Sequence, residues 1–275
     1  MQFRPCSPAI GAEVTGLDLT QPLSDQDKQT LRQGLIQYGM LFTRGHKLSS
    51  QQLVDYARGF NEIERYDTTM SQYLLATQPE IIVLSNIVEN GKPIGVADGG
   101  KYWHTDRSYV AKPAWSSCLY ALEVPHADDG TPLGDTLFSS MTAAHDALPQ
   151  RLRERIAGLS AWHEYVFRFS ARNDSMPGVA HPIIIKHPLS QAPCLYVNRG
   201  FTHKILGLPE QEAKDLMEEL WRHAESEPFV YRHKWQVGDV LLWDNYSAQH
   251  CATDDYALPQ RRHMWRTTIQ GFPLQ

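Results

Sequence analysis

The sequence predicts an antiparallel β-sandwich or barrel with flanking helices, a mainly β fold. Three observations carry that expectation: many short apolar or alternating runs, helical periodicity confined to the amino-terminal part and to insertions, and no regular β-α-β alternation. The 275 residues can bury a substantial core and are read as one domain, 1–275, with helical insertions. A composition of 42% hydrophobic and 21% charged residues is that of an ordinary globular chain.

In chain order, Ile10 to Leu19 alternates and holds two glycines, which predicts a short strand ending in a turn. Ser24 opens a Ser-x-x-Asp helix start, Leu31, Leu35 and Tyr38 follow at helical spacing, and Gly39 stops the helix. Met40 to Thr43 reads as a buried strand. Ser49 or Ser50 caps a second helix whose Leu53, Tyr56, Ala57 and Phe60 form one apolar face. Ile81 to Ser85 is a strand, and Asn86 to Gly100 is a long Gly- and polar-rich loop, a lid, a binding loop or simply mobile. Ser116 to Val124 and Gly134 to Phe138 are strand-like runs around the turn Asp128-Asp129-Gly130-Thr131-Pro132. Short helices occupy Thr142 to Ala157, Trp162 to Phe169 alternates as a strand, and Arg172 to Val179 is a loop. Ile183 to Ile185 and Cys194 to Val197 are strands. Pro209 starts a helix with Leu216, Met217, Leu220, Trp221 and Ala224 as its buried stripe. Phe229 to Tyr231, Asp239 to Trp243 and Trp265 to Ile269 complete a strand-rich second half.

A net charge of -5 and a pI near 6.2 exclude bulk nucleic-acid affinity, and there is no Lys/Arg block to restore it. No apolar run approaches a membrane span, and Met1-Gln2-Phe3-Arg4-Pro5 lacks a signal-peptide core, so the expected location is cytoplasmic. Cys6, Cys118, Cys194 and Cys251 are scattered without a Cys-x-x-Cys pair and read as free thiols. Assembly into a dimer or tetramer is left open by the sequence.

The chemistry begins at Trp103-His104-Thr105-Asp106. On a strand, residues two apart share a face, so His104 and Asp106 present an imidazole nitrogen and a carboxylate oxygen side by side. One more His completes a 2-His-1-carboxylate set, which occupies one face of an octahedral ferrous ion and leaves the other open. An isolated His-x-Asp is more often a surface His beside a solvated Asp. The candidate third ligand is His250, just beyond the apolar strand Asp239 to Trp243 and 146 residues after His104. Downstream, Arg262, Met264, Arg266 and Thr268 share one strand face. Two guanidiniums in one cavity would suit two anions, whereas the plainer reading is a basic edge strand.

Five motifs occur in order: Trp-His-Thr-Asp, Gly-Asp-Thr-Leu-Phe at 134–138, Leu-Tyr-Val-Asn-Arg-Gly-Phe-Thr at 195–202, Trp-Asp-Asn-x-x-x-Gln-His at 243–250, and the Arg-x-x-x-Arg ending. Together with Ile-Gly-Ala-Glu-Val-Thr-Gly-Leu-Asp-Leu near the start, they resemble the taurine/2,4-dichlorophenoxyacetate dioxygenase (TauD/TfdA) family over nearly the whole chain. The resemblance implies a double-stranded β-helix, the cupin-like jelly roll, and an oxygenase dependent on Fe(II), 2-oxoglutarate and O2. It implies His104, Asp106 and His250 as iron ligands and Thr136 and Arg262 as partners of the 2-oxoglutarate distal carboxylate. Arg266 would hold the substrate's anionic group. Extra residues between Val124 and Gly134 mean that Thr136 is matched by its Gly-Asp-Thr context. The intact carboxylate of Asp106 argues against halogenase relatives, which replace it with a small residue.

Tyr66 and Gly100 fall where the taurine enzyme has a His and an Asn that hold the amine end, which points away from taurine itself. Phe201 stands where the family uses an aromatic wall, and Tyr102, Tyr165, Phe167 and Phe169 are further candidates for the pocket, although such aromatics are often plain core. The expected substrate is a small organic anion: a sulfonate, a phosphonate, or a carboxylate such as an aryloxy acid. Hydroxylation of a C–H bond is the expected reaction. The alternatives are a zinc-type hydrolase on the same ligands, a nonenzymatic sensor or anion binder, and a metal-free structural jelly roll.

Overall fold

A computed structural model describes residues 1–66, 68–97, 99–165 and 178–274. The chain opens with an antiparallel pair, β1 (Gln2–Pro5) and β2 (Ala12–Thr15). Helix α1 (Asp25–Tyr38) starts at Ser24, whose hydroxyl accepts the Asp27 amide. It stops at Gly39, whose φ of 69° lies in the left-handed region open to glycine. That stop feeds directly into β3 (Met40–Thr43), buried throughout. Helix α2 (Ser50–Arg58) begins with a full capping box between Ser49 and Gln52.

Next come β4 (Leu74–Leu75) and β5 (Gln78–Ser85). The stretch expected as a plain loop after Asn86 carries a hairpin, β6 (Val88–Glu89) and β7 (Lys92–Pro93). Its two-residue turn, Asn90-Gly91, has positive φ at both positions, as a type I′ turn requires. Then follow β8 (Ser116–Glu123), β9 (Thr136–Ser140), α3 (Met141–Asp146), α4 (Gln150–Ile156) and β10 (Ser160–His163). The strand expected from Trp162 to Phe169 is described only as β10. Phe167, Phe169 and most of the loop expected at 172–179 lie outside the described residues.

The second half holds β11 (Val179–Pro182), β12 (Ile184–Lys186), β13 (Pro193–Leu195), β14 (Thr202–Ile205) and α5 (Glu210–Ala224). It ends with β15 (Val230–His233), β16 (Val240–Asp244), β17 (Ala248–Ala252) and β18 (His263–Ile269). His250 lies beyond β16, as expected, and within a further strand, β17. Ala248-Gln249-His250-Cys251-Ala252 has no β-branched residue and no apolar alternation, so only its partner β9 makes it a strand.

An eight-stranded sheet runs in the order β1-β2-β3-β16-β8-β18-β5-β4 and is antiparallel except for the β2–β3 pair. A three-stranded sheet, β15-β9-β17, faces it. Alternate residues of the large sheet serve two cores. Leu41, Cys118, Tyr120, Val240 and Leu242 pack beneath α1 and α2 with Leu31, Leu35, Leu53 and Val54. Met40, Phe42, Leu119, Leu241, Trp243 and Met264 fill the space between the sheets with Phe138 and Ala248. A sheet buried on both faces has continuous apolar strands, which explains Met40-Leu41-Phe42 and Val240-Leu241-Leu242-Trp243. A third core joins α3, α4 and α5 to β10, β13 and β14. This double-layered arrangement is the expected mainly β jelly roll.

Candidate active site

His104 and His250 face one another across an isolated antiparallel bridge. The His104 amide donates to the His250 carbonyl at 3.0 Å, and the His250 amide donates back at 2.9 Å. This backbone exchange brings the two imidazoles to a centroid separation of 4.1 Å despite their distance in sequence. Asp106, two residues past His104, completes a buried cluster whose ligand atoms all lie within 4.8 Å of one another. The Nδ1 of His104 is 2.8 Å from the Tyr102 carbonyl, which can only accept, so Nδ1 carries the proton and Nε2 offers a lone pair. His104 Nε2 is 3.6 Å and His250 Nε2 4.0 Å from Asp106 Oδ1. These separations exceed a hydrogen bond, and they suit three donors around one cation.

Burial would raise the Asp106 carboxyl, but the Arg266 guanidinium first, with His250 and His104 adding to it, holds it well below the usual range. Burial, and then the neighbouring His104, push His250 well below the usual imidazole value. The cluster is thus predisposed to an ionised carboxylate and a neutral His250, the protonation states that metal binding requires. These residues fit a ferrous ion. The surrounding backbone is equally restricted. A Cβ at Gly100, where φ is +78°, would stand 2.6 Å from His104 Cε1. One at Gly200 would stand 2.6 Å from the Tyr102 ring.

Arg266 enters the site from β18. Its Nη2 is 2.8 Å from Asp106 Oδ2, while its Nε is buried without a hydrogen-bond partner. The guanidinium assigned to a substrate anion on the resemblance thus also touches the aspartate. Tyr66 lies beside it, its hydroxyl donating to Thr268 Oγ1 at 2.8 Å. Phe201 packs against His104, with centroids 5.8 Å apart, and contacts Tyr102, Tyr109 and Tyr165 at 6.2, 4.8 and 5.9 Å. Tyr66, Tyr102 and Phe201 are therefore all adjacent to the cluster or to its arginine.

Arg262 precedes β18, buried, with its guanidinium carbon 5.9 Å from the Tyr256 ring centroid and its Nε unpartnered. It backs onto Gly134, where a Cβ would stand 3.2 Å from that Nε. Thr136 starts β9, and its hydroxyl accepts Trp235 Nε1 at 3.0 Å. Because Thr136 pairs with Ala252 and Phe138 with His250, Thr136 and His250 project from the same face of the small sheet.

Sequence reasoning assigned no role to Ser117, Asn245, Tyr109 or the Arg107–Glu64 pair. Ser117 stands beside a second buried serine, Ser116, at the start of β8, and nothing in the sequence separates the two; Asn245 stands in the Trp-Asp-Asn motif, and Arg107 and Tyr109 closely follow His-x-Asp. Arg107 adopts φ of 59°, a left-handed conformation costly for a side-chain-bearing residue. Its Nη1 is 2.9 Å from Glu64 Oε2, which anchors the turn that leaves Asp106.

Comparison with known proteins agrees with this geometry. The model of the family described as taurine catabolism dioxygenase TauD, TfdA family matches residues 2–268. The chain is 31% identical to an alpha-ketoglutarate-dependent 2,4-dichlorophenoxyacetate dioxygenase of Cupriavidus pinatubonensis, covering 96% of each protein. It is 29% identical to an alpha-ketoglutarate-dependent sulfonate dioxygenase of Saccharomyces cerevisiae, covering 98% of this chain and 67% of that one. A taurine dioxygenase structure from Burkholderia xenovorans superimposes with a TM-score of 0.83 at 29% identity, covering 98% of this chain and 89% of the other. The chain belongs to the taurine catabolism dioxygenase TauD, TfdA family, and is an oxidoreductase that uses ferrous iron, 2-oxoglutarate and dioxygen.

Proposed function

We propose that this chain hydroxylates a C–H bond of a small organic anion while 2-oxoglutarate and O2 are converted to succinate and CO2, one oxygen atom entering each organic product. The observation that carries the reading is the buried His104–Asp106–His250 cluster with Arg266 at its edge. His104, Asp106 and His250 would hold the ferrous ion. When bound, the metal would activate dioxygen with electrons drawn from the keto acid, and dioxygen would supply the oxidising power that removes hydrogen from an unactivated carbon. Thr136 and Arg262 would bind the distal carboxylate of 2-oxoglutarate, the unpartnered Nε of Arg262 being a donor in need of an acceptor.

Arg266 would take the substrate's anionic group on its free Nε, and Phe201, Tyr102 and Tyr66 would shape the pocket and exclude water. Relatives named for 2,4-dichlorophenoxyacetate and for sulfonates both act on anions, which supports this role. If the hydroxylated carbon carries an oxygen, sulfur or phosphorus substituent, the product would fragment at that bond. A hydrolase would require neither the keto acid nor the second arginine, and family membership leaves that alternative and the nonenzymatic ones unsupported.

Anaerobic Fe(II) and 2-oxoglutarate are expected to produce a weak visible charge-transfer band. Succinate should form with at least one member of a panel of sulfonates, phosphonates and aryloxy or alkyl carboxylates. Absence of both overturns the reading. With iron saturating, Arg266→Ala should lower substrate-dependent kcat/KM about 10- to 100-fold, the value of one charge-assisted hydrogen bond, with a smaller loss of uncoupled 2-oxoglutarate consumption. Arg262→Ala should instead weaken the band. An unchanged band there means that the role given to Arg262 is wrong.

A further inference from the structure

Asp106 belongs to a closed ring of hydrogen bonds. Its backbone N–H donates to Asn245 Oδ1 at 3.2 Å, and the same oxygen accepts Trp243 Nε1 at 3.0 Å. Asn245 Nδ2 donates to Ser117 Oγ at 3.3 Å, and Ser117 Oγ donates to Asp106 Oδ2 at 2.6 Å. Ser117 and Asn245 are wholly buried, and Trp243 and Asp106 nearly so. Ser117 lies opposite Trp243 in the β8–β16 register, which places its hydroxyl within reach of Asn245.

The direction of every bond is fixed. An indole N–H and a backbone N–H can only donate, so the Asn245 atom that meets both must be its oxygen. Its NH2 then faces Ser117, which occupies an acceptor site of that hydroxyl and leaves the single hydroxyl hydrogen for Asp106 Oδ2. Arg266 Nη2 donates to the same Oδ2. With two donors on Oδ2, Oδ1 is the oxygen that faces Nε2 of both histidines.

We infer that Ser117 and Asn245 are positioning residues. They commit one oxygen of Asp106 to the protein and present the other to the cation, so the ring sets metal affinity without touching the metal. This rests on the proposed ligand set. Asparagine is required at 245 because its two ends have opposite hydrogen-bonding character: Asp could not donate to Ser117, and Leu could neither accept nor donate.

The test titrates metal-free protein with Co(II), followed by the visible bands of the bound ion and by chelator competition, alongside the melting temperature of the metal-free forms. Wild type should bind and Asp106→Ala should not. Ser117→Ala should weaken affinity about 10- to 100-fold, as loss of a ligand's outer partner does elsewhere, with little change in metal-free melting. Asn245→Ala, which cuts the ring one bond earlier, should act in the same direction. Ser117→Thr, which keeps the hydroxyl, should restore most of the affinity. Ser116→Ala is the control: Ser116 is just as buried, and its hydroxyl has no hydrogen-bond partner. Should wild type fail to bind Co(II), or Asp106→Ala bind it equally, the ligand set itself is wrong. If those two behave as stated while Ser117→Ala binds like wild type, or Ser116→Ala loses as much, only the positioning role is overturned.

Discussion

His163, at the end of β10, is completely buried, and its Nδ1 lies 3.1 Å from Ser108 Oγ, two residues beyond Asp106. Asn198 Nδ2 also donates to that hydroxyl, at 3.3 Å, and Asn198 Oδ1 accepts the Phe201 amide at 2.8 Å. Burial, and then the nearby His181, push the His163 imidazole down to about 3. The unfolded value is near 6.5, so folding favours the neutral ring. The advantage is complete above about pH 6.5 and is lost as pH falls, at up to about 1.4 kcal/mol per pH unit. Urea unfolding at pH 7 and pH 5 should show a larger loss of stability for wild type than for His163→Gln. Equal losses would remove His163 as a source of acid sensitivity. Residue by residue, legibility followed chemistry. The two-residue spacing of His104 and Asp106 can be read directly, whereas Ser117 acts only through Asp106, 11 residues before it, and Asn245, 128 residues after it.

Among the elements, α5 does more than cover a core. Arg199, in the turn between β13 and β14, donates from Nε to both oxygens of Glu225, at 2.8 and 2.9 Å. It also donates from Nη1 and Nη2 to Glu218, at 2.8 and 3.0 Å, and its guanidinium carbon lies 5.0 Å from the Trp221 ring centroid. Glu218 and Trp221 share one face of α5, and Glu225 caps its end. The helix thereby clamps the turn whose next two residues, Gly200 and Phe201, lie against Tyr102 and His104. Arg199→Ala should reduce kcat/KM about tenfold by letting the aromatic wall drift, while Co(II) affinity stays as in wild type. A matching fall in metal affinity would show that the clamp acts on the ligands instead. The Asn-Arg-Gly-Phe motif is evident in the sequence, but its pairing with a helix that begins nine residues after Phe201 is not, because a charged residue does not encode its partner.

For the whole molecule, the sequence conveys the mainly β character because apolar runs and turn residues report local preference. It does not convey which strands are neighbours. β17 has no intrinsic strand signal and becomes one only by pairing with β9, and the parallel contact between β2 and β3 has no counterpart in local pattern. The His104–His250 bridge has a consequence in time as well as in space. Closing a loop of 146 residues costs on the order of 4 kcal/mol beyond a constant, and nothing near either histidine in sequence offsets it. The bridge must therefore form late, after the sheets that carry its two ends have met. In refolding from urea with Co(II) present, tryptophan fluorescence should recover before the visible bands of bound cobalt. Simultaneous recovery would place the bridge in the folding nucleus. A growing chain would carry only a His-x-Asp pair for most of its synthesis, and so would acquire full affinity for iron only once both sheets are assembled.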